Sequence, residues 1–249
     1  MKAFGTTDIG KVRRSNQDTF SVQMLPGAVL ALVCDGMGGA AAGQVASKLA
    51  CDTFVSHAVP AIEASRGTKI AESLRDAADL ANREVYFRSL EDRDCEGMGT
   101  TLVAIYMTES TATLINVGDS AAYRFSDGKL RKITHDHSLV QEMVDSGKIS
   151  PEEAKNHPRK NVITRVVGGE IQLRSDMFEV GVQPHDLFLL CSDGLTNALT
   201  EETISHILSS GTEPDKICRT LIDRALENNA RDNVTAVVLT PDKEADLHE

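Results

Sequence analysis

Four aspartates lie at the ends of short apolar segments. Asp35, Asp119 and Asp193 each follow such a segment, and Asp232 comes just before another. Runs of aliphatic and β-branched residues that end in turn formers are typical of strands buried on both faces. If these strands lie side by side, their ends bring several carboxylates to one edge of a sheet system.

A group of carboxylates at one edge predicts a bound cation. Like charges repel and lose hydration when they are crowded, unless a cation lies between them. A ligand set made of oxygen atoms alone favours Mg²⁺ or Mn²⁺ over Zn²⁺. Gly36 and the pair Gly38-Gly39 follow Asp35, and a residue without Cβ can bring its backbone close to an ion. Each acid alone could be a turn residue or a helix cap, but together they indicate a divalent metal site.

One arginine suggests what the metal acts on. Arg13 lies in the polar segment Gly10–Asp18, shortly before a predicted strand. A guanidinium can bind a phosphate through two parallel hydrogen bonds. Arg13 by itself could be an ordinary surface residue, but beside a carboxylate cluster it favours phosphoryl transfer.

Composition limits the classes of function. The chain has 249 residues, with 26 Lys and Arg against 37 Asp and Glu, and a net charge of −11. This acidity disfavours a nucleic-acid partner, because phosphate backbones are bound mainly by Lys and Arg. The longest apolar run, Ala28–Cys34, is too short to cross a bilayer, and the N-terminus lacks the apolar region of a signal peptide. The five scattered cysteines are typical of reduced thiols, so we expect a cytoplasmic protein without a membrane partner.

The remaining pattern predicts the elements that position these residues. Further strands are predicted at Thr19–Met24, Thr101–Met107, Ala121–Phe125 and Met177–Val182. Apolar residues at helical spacing predict helices around 45–55, 74–85, 139–144, 204–208 and 217–226. Ser150-Pro151-Glu152-Glu153 is a capping pattern that predicts one more helix start, and Asp127-Gly128 predicts a hairpin turn. Strands separated by pairs of long helices indicate a layered α+β domain.

Eight segments together resemble one family, the metal-dependent protein phosphatases called PP2C or PPM, in their compact bacterial form. They occur in the family's order and span nearly the whole chain. They are G-K-V-R-R-S-N-Q-D (10–18), C-D-G-M-G-G (34–39), G-M-G-T-T (97–101), V-G-D-S (117–120), I-T-H-D-H-S (133–138), H-P-R-K-N-V-I-T-R-V-V-G (157–168), C-S-D-G-L-T (191–196) and R-D-N-V-T (231–235).

The resemblance implies a fold and a domain organisation. The fold is an α+β, four-layer α-β-β-α sandwich, in which helices flank two central, mainly antiparallel sheets. One phosphatase domain is expected over residues 1–241, with a flap at about 138–169 beside the active site. Residues 242–249 are expected to form a frayed tail.

The resemblance also implies the metal ligands. Asp35 would bridge two ions, the carbonyl of Gly36 would bind one of them, and Asp193 and Asp232 would complete the pair. Asp119, together with Asp193, matches the residues that hold a third ion in bacterial members. The expected cofactor is Mn²⁺ or Mg²⁺, with two ions at the core and a third beside them.

Two further residues and the reaction follow from the same resemblance. Arg13 matches the phosphate-binding arginine, and Asp18 matches an outer carboxylate that holds metal-bound water. The implied activity is hydrolysis of phosphoserine and phosphothreonine monoesters by in-line attack of a water that bridges the metals, without a phosphoenzyme. The expected partners are phosphorylated proteins, namely a Ser/Thr kinase and its substrates, and the chain is expected to be a monomer.

The general acid remains open. Some relatives carry a histidine where this chain has Met37 or Ala40. Residues His137 and His157 are alternative proton donors by family position, although each could equally be a flap or core histidine. A water on the metal could also protonate the leaving oxygen.

Other enzyme classes are less well supported by the sequence. Cys218 and Arg224 have the C-x₅-R spacing of cysteine phosphatases, but they fall in a helical pattern without glycine. Gly5–Val12 approaches a P-loop but lacks the metal-binding Ser or Thr. Two alternatives stay open: a metal-dependent phosphodiesterase, and a non-catalytic regulatory module that has the same fold.

Overall fold

The computed structural model describes residues 1–39, 41–211 and 213–241. Ala40 and the expected tail at 242–249 therefore lie outside the described residues. Within them, the strands and α-helices follow in the order β1 (Lys2–Asp8), β2 (Asp18–Leu25), β3 (Ala28–Met37), α1 (Ala42–Ala64), α2 (Ile70–Glu91), β4 (Gly99–Thr100), β5 (Leu102–Met107), β6 (Thr111–Val117), β7 (Ala121–Ser126), β8 (Lys129–Lys132), α3 (Leu139–Asp145), α4 (Pro151–Lys155), β9 (Asp176–Gly181), β10 (Leu187–Cys191), α5 (Asp193–Ala198), α6 (Glu201–Ser210), α7 (Pro214–Glu227) and β11 (Val234–Thr240).

The strands form two antiparallel sheets. One sheet has the order β1-β11-β10-β7-β8 and the other has the order β2-β3-β5-β6-β9, with β4 paired to β3. Neighbouring strands within each sheet run in opposite directions. The predicted pair of mainly antiparallel sheets is confirmed.

The central strands are buried on both faces, which explains their unbroken apolar runs. On β3, Leu30 and Leu32 pack with α1 and α2 in one cluster. Val29 and Val33, which point the other way, pack against Phe188 and other residues of the opposite sheet. A third cluster lies between the β1-β11-β10-β7-β8 sheet and helices α5 to α7. Helices therefore cover both outer faces, as the sandwich requires.

Local sequence signals agree with most of these elements. Ser150 and Glu153 form the predicted capping box at the start of α4. Asp127 and Gly128 both have positive φ at the β7–β8 hairpin, as predicted. Strand β1 and helix α5 were not predicted. In the part of the chain that the structure describes, no helix has the length and apolarity to span a membrane.

The acidic residues lie at the strand ends on one rim. Asp18 begins β2 and pairs in register with Asp35, near the end of β3. Asp119 lies between β6 and β7, Asp193 is the first residue of α5 and is separated from β10 by Ser192 alone, and Asp232 lies two residues before β11. The sandwich thus gathers acids that are far apart in the sequence.

Candidate active site

A single cavity collects most of the predicted site residues. It has a volume of about 230 Å³. Its lining contains every predicted site residue except Asp18, together with others for which no role was predicted. The lining residues are Arg13, Gln17, Asp35, Gly36, Met37, Gly38, Asp119, Asn161, Ile163, Asp193, Asp232 and Asn233.

The backbone of Asp35 is fixed on both sides by hydroxyl groups. Its N–H donates to Thr101 Oγ1 at 2.9 Å, and its carbonyl accepts from Thr100 Oγ1 at 2.9 Å. The hydroxyls of Thr101 and Ser120 are also hydrogen-bonded to each other, at 2.7 Å. The motifs that contain Thr100, Thr101 and Ser120 therefore hold the Asp35 side chain in place over the cavity.

Glycine is required at position 36 because another backbone segment passes very close. A Cβ there would collide with the carbonyl oxygen of Gly43, in the first turn of α1, and would lie 2.8 Å from the carbonyl oxygen of Gln17. The Gly36 N–H donates to that same Gln17 carbonyl at 3.1 Å. The strand end, the Arg13 loop and α1 thus meet at one point beside the cavity.

Asp18 lies beneath the cavity and is 7% exposed. Its Oδ2 accepts hydrogen bonds from Ser192 Oγ at 2.7 Å and from Thr235 Oγ1 at 2.6 Å. Its Oδ1 is buried without a hydrogen-bond partner. Burial raises the pKa of Asp18, although its two hydroxyl donors act in the opposite direction. An unpartnered buried carboxylate oxygen indicates that this position is built for an additional polar group.

Arg13 reaches the acidic rim from an exposed loop. Its Nη2 lies 2.7 Å from Asp232 Oδ2, and this hydrogen bond raises the pKa of Arg13. The loop is attached by Asn233, which donates to the carbonyls of Ile9 at 2.9 Å and Ser15 at 3.0 Å. Asn233 also accepts from the N–H of Gln17 at 2.9 Å. Asn233 is a site residue that the sequence reasoning missed, although it lies in the quoted R-D-N-V-T segment.

Asp193 is linked to the flap through one amide side chain. Asn197 Nδ2 donates to Asp193 Oδ2 at 3.0 Å, and Asn197 Oδ1 accepts from Lys160 Nζ at 3.1 Å. Asn161 and Ile163, which follow Lys160, line the cavity. Part of the expected flap therefore contributes to the site wall.

The carboxylates perturb one another strongly. Burial, together with the charges of Asp18, Asp193, Asp119 and Asp232, raises the pKa of Asp35 well above its usual range. Burial, with the charge of Asp193, raises the pKa of Asp119 to about 7. Burial, with the charge of Asp232, raises the pKa of Asp193 to about 6. A group of acids that resist ionisation so strongly needs cations to hold its charge at neutral pH.

The donor set fits a hard divalent ion. It offers carboxylate oxygens and a backbone carbonyl without sulfur or imidazole, which is the chemistry that Mg²⁺ and Mn²⁺ prefer. Among the described residues, no three His, Cys, Asp or Glu side chains meet as a ready-made ligand group. Individual carboxylates are instead engaged by Arg13 and Asn197.

Neither alternative histidine reaches the cavity. His137 is 3% exposed, and its Nδ1 accepts from the N–H of Gly118 at 3.1 Å. His157 lies in the flap, where its Nδ1 accepts from the N–H of Arg159 at 3.2 Å. Among the described residues that line the cavity there is no histidine, so the structure does not support direct proton donation by either one.

The cysteine-phosphatase alternative also fails on geometry. Cys218 is fully buried within α7, and its thiol donates to the carbonyl of Phe4 at 3.2 Å. Burial raises its pKa to about 12. A thiol in this environment is not a nucleophile at neutral pH.

A two-sheet sandwich whose rim brings several aspartates and an arginine to one cavity is the arrangement expected of a metal-dependent phosphatase. The sequence model described as Protein phosphatase 2C matches residues 10–231. The serine/threonine phosphatase stp of Listeria monocytogenes is 37% identical over 97% of this chain and 96% of that protein. The chain belongs to the protein phosphatase 2C family, and it is a metal-dependent protein serine/threonine phosphatase.

Solved structures agree in fold. The Staphylococcus aureus serine/threonine phosphatase Stp1 has a TM-score of 0.87 at 32% identity, covering 97% of this chain and 95% of that one. The catalytic domain of the serine/threonine protein phosphatase PstP, in complex with two manganese ions, has a TM-score of 0.83 at 34% identity, covering 95% of this chain and 96% of that one. The predicted four-layer sandwich and the predicted phosphatase activity are confirmed.

Proposed function

We propose that the rim cavity is the catalytic centre and that its aspartates hold the metal ions. Asp35 would bridge two ions, with the Gly36 carbonyl, Asp193 and Asp232 completing their ligands. The observation that carries the proposal is the convergence of these residues, from three distant parts of the chain, on one cavity of about 230 Å³. Bound Mn²⁺ or Mg²⁺ would act as a Lewis acid on phosphoryl oxygens and would lower the pKa of water in the cavity.

We infer that a third ion would lie at Asp119 and Asp193. Both side chains line the same cavity, and the charge of Asp193 contributes to the raised pKa of Asp119. Their crowding supports a shared cation. Mn²⁺ and Mg²⁺ are both compatible with the oxygen ligands.

The protein's own groups have separate tasks in this proposal. Arg13 binds the phosphoryl group of the substrate and balances the negative charge on its oxygens. Asp18, held by Ser192 and Thr235, presents its unpartnered Oδ1 as an acceptor for water beside Asp35. The described lining contains no Ser, Thr, Cys or His, and the proposal assigns its aspartates to the metal ions, so no side chain of the lining is left to take the phosphoryl group. This supports direct attack by water without a phosphoenzyme.

The proposed substrates are phosphorylated proteins, in particular a Ser/Thr kinase and the proteins it modifies. The net charge of −11 disfavours a polynucleotide, and the exposed Arg159 and Lys160 place positive charge on the flap, near the cavity. We further infer that residues 1–241 act as one catalytic domain with a flap at about 138–169, as a monomer in the cytoplasm.

One comparison of substrates tests the proposed function. The same preparation is assayed with a phosphothreonine peptide and with a dinucleotide diester, in Mn²⁺, in Mg²⁺ and in excess chelator. We expect hydrolysis of the peptide only, and only with a metal present. Equal peptide hydrolysis in chelator would refute the metal site, and preferential hydrolysis of the diester would refute the substrate class.

A further inference from the structure

The buried side chain of His137 holds the turn that carries Asp119. The N–H of His137 donates to the carbonyl of Gly118 at 3.0 Å. In return, the N–H of Gly118 donates to His137 Nδ1 at 3.1 Å. Gly118 has a φ of +103°, a conformation that few other residues adopt. This reciprocal pair of hydrogen bonds fixes the backbone immediately before Asp119.

The other ring nitrogen of His137 is engaged as well. Its Nε2 lies 3.2 Å from Asp176 Oδ2, and Asp176 Oδ1 accepts from Arg165 at 3.0 Å. Because Nδ1 accepts a hydrogen bond, a neutral ring carries its proton on Nε2 and donates it to Asp176. Arg165 Nη1 also lies 3.2 Å from Nε2, but two donors face each other there, so this contact is not a hydrogen bond in that tautomer. The ring is therefore set in one tautomer and one orientation.

The same residue also holds the inner edge of the flap. The carbonyl of His137 accepts from the N–H of Thr164 at 2.8 Å, and Ser138 forms an antiparallel bridge with Ile163. Ile163 and Asp119 both line the cavity. His137 is thus bonded to two walls of the site without touching the cavity.

We propose that His137 is a positioning residue that fixes the Asp119 carboxylate and the Ile163 edge of the flap relative to each other. The proposal rests on the proposed role of Asp119 as an ion ligand. It assigns His137 no direct contact with substrate or metal. Loss of its Nδ1 acceptor should free the Asp119 turn and weaken ion binding there, while the rest of the sandwich stays folded.

The test compares variants that keep or remove the acceptor. His137→Leu removes both ring nitrogens, whereas His137→Asn places an amide oxygen near the position of Nδ1, where it can still accept from Gly118. We expect the Mn²⁺ concentration for half-maximal activity to rise about tenfold or more in His137→Leu. We expect His137→Asn to stay within about threefold of the wild type, which is roughly 0.7 kcal/mol.

Hydrogen exchange of the whole protein supplies a readout independent of activity. In His137→Leu, the amide of Gly118 should exchange faster because it loses the ring acceptor. The amide of Thr164, which bonds the backbone carbonyl that every variant keeps, and the amides in β3 should keep wild-type rates. In His137→Asn, the Gly118 amide should remain protected. Uniformly faster exchange in His137→Leu, or unchanged exchange at Gly118, would overturn the proposal.

Two further variants keep the outcome interpretable. If His137→Leu does not fold, His137→Gln replaces it, because the glutamine oxygen lies near the Nε2 position and not beside Gly118. Equal protection of Gly118 in the Gln and Asn proteins would then refute the positioning role. If Asp119→Asn shows wild-type Mn²⁺ dependence, the ion assignment of Asp119 fails, and exchange at Gly118 still decides the role of His137.

Discussion

Arg13 and Asp232 form an ion pair of 2.7 Å across 219 residues of sequence. One belongs to a loop near the N-terminus and the other precedes the last strand. The pair joins the proposed phosphate-binding group to a proposed metal ligand. Both side chains are partly exposed to the cavity, so the pair can rearrange when ligands enter.

Removing the Arg13 guanidinium should weaken substrate use without unfolding the protein. Arg13→Ala loses the charged hydrogen bonds to the phosphoryl group, each worth about 1.5–3 kcal/mol. We expect kcat/KM for a phosphothreonine peptide to fall about 10- to 100-fold. Arg14→Ala, at the neighbouring exposed position, is the matched control and should be near wild type. Similar kinetics for both variants would argue against the assignment of Arg13.

Neutralising the central carboxylate should abolish metal-dependent hydrolysis. Asp35→Asn keeps the shape of the side chain but removes the charge that bridges the proposed ion pair. We expect activity to fall by at least about 100-fold and Mn²⁺ binding, measured by calorimetry, to lose its tightest component. Asp127→Asn, at the tip of the β7–β8 hairpin, is the control that tests whether loss of a surface carboxylate charge alone lowers activity or Mn²⁺ binding. An Asp35→Asn protein that binds Mn²⁺ like the wild type would contradict the ligand assignment.

The hydroxyl of Thr235 should contribute to stability through Asp18. Thr235→Val has nearly the same shape but removes the 2.6 Å hydrogen bond to the buried carboxylate, together with the 2.7 Å hydrogen bond to Thr7 at the partly buried edge of the sheet. Leaving a buried polar group without its donor costs about 1–3 kcal/mol, which corresponds to about 3–10 °C in Tm for a chain of this size. Differential scanning calorimetry measures the change. Thr240→Val, at the far end of the same strand, should shift Tm by much less, and equal shifts would count against this account.

The metal-free protein should become less stable as pH rises towards neutrality. Folding raises the pKa of Asp119 to about 7 and that of Asp193 to about 6, so between pH 4 and 7 the folded state binds more protons than the unfolded state. By linkage, the free energy of unfolding then falls with increasing pH. One pKa unit corresponds to about 1.4 kcal/mol, so we expect Tm in chelator to fall by several degrees between pH 5 and 8.

Two comparisons check the origin of this pH dependence. Asp119→Asn removes one of the perturbed acids and should make the decline in Tm shallower. Saturating Mn²⁺ should also flatten it, because ions replace the protons. A Tm that is constant or rising over this pH range in chelator would show that the acids are not coupled as described.

The hydrophobic pattern of the sequence was sufficient to predict the strands that are buried on both faces. The run from Val29 to Cys34 predicted β3 because both faces of that strand are covered. Strand β1 was missed because Lys2–Asp8 has few apolar residues, and its pairing with β11 depends on residues at the other end of the chain. Helix α5 was missed because its six residues are too short for a helical period to emerge.

The charged rim was predictable from the positions of the aspartates, but its supporting contacts were not. Asn233 bonds to Gln17, which is distant in sequence, and Asn197 bonds to Asp193, one helical turn earlier. The residues next to each asparagine in the sequence do not indicate these hydrogen bonds. His137 was considered as a proton donor, but it is buried, its Nδ1 accepts from Gly118, and it is absent from the described lining of the cavity. The roles of these three residues depend on where their side chains point in the fold, and the residue type alone does not determine that direction.

The pairing of β1 with β11 has a consequence for synthesis of the protein. Thr7 on β1 and Thr235 on β11 are hydrogen-bonded at 2.7 Å although they are 228 positions apart. On the ribosome, β1 therefore emerges long before β11, its one partner strand among the described residues. Asp18 likewise emerges long before Thr235, and Arg13 long before Asp232. A nascent chain interrupted before β11 would leave β1 unpaired, with its edge exposed, and would leave Asp18 without the hydroxyl of Thr235.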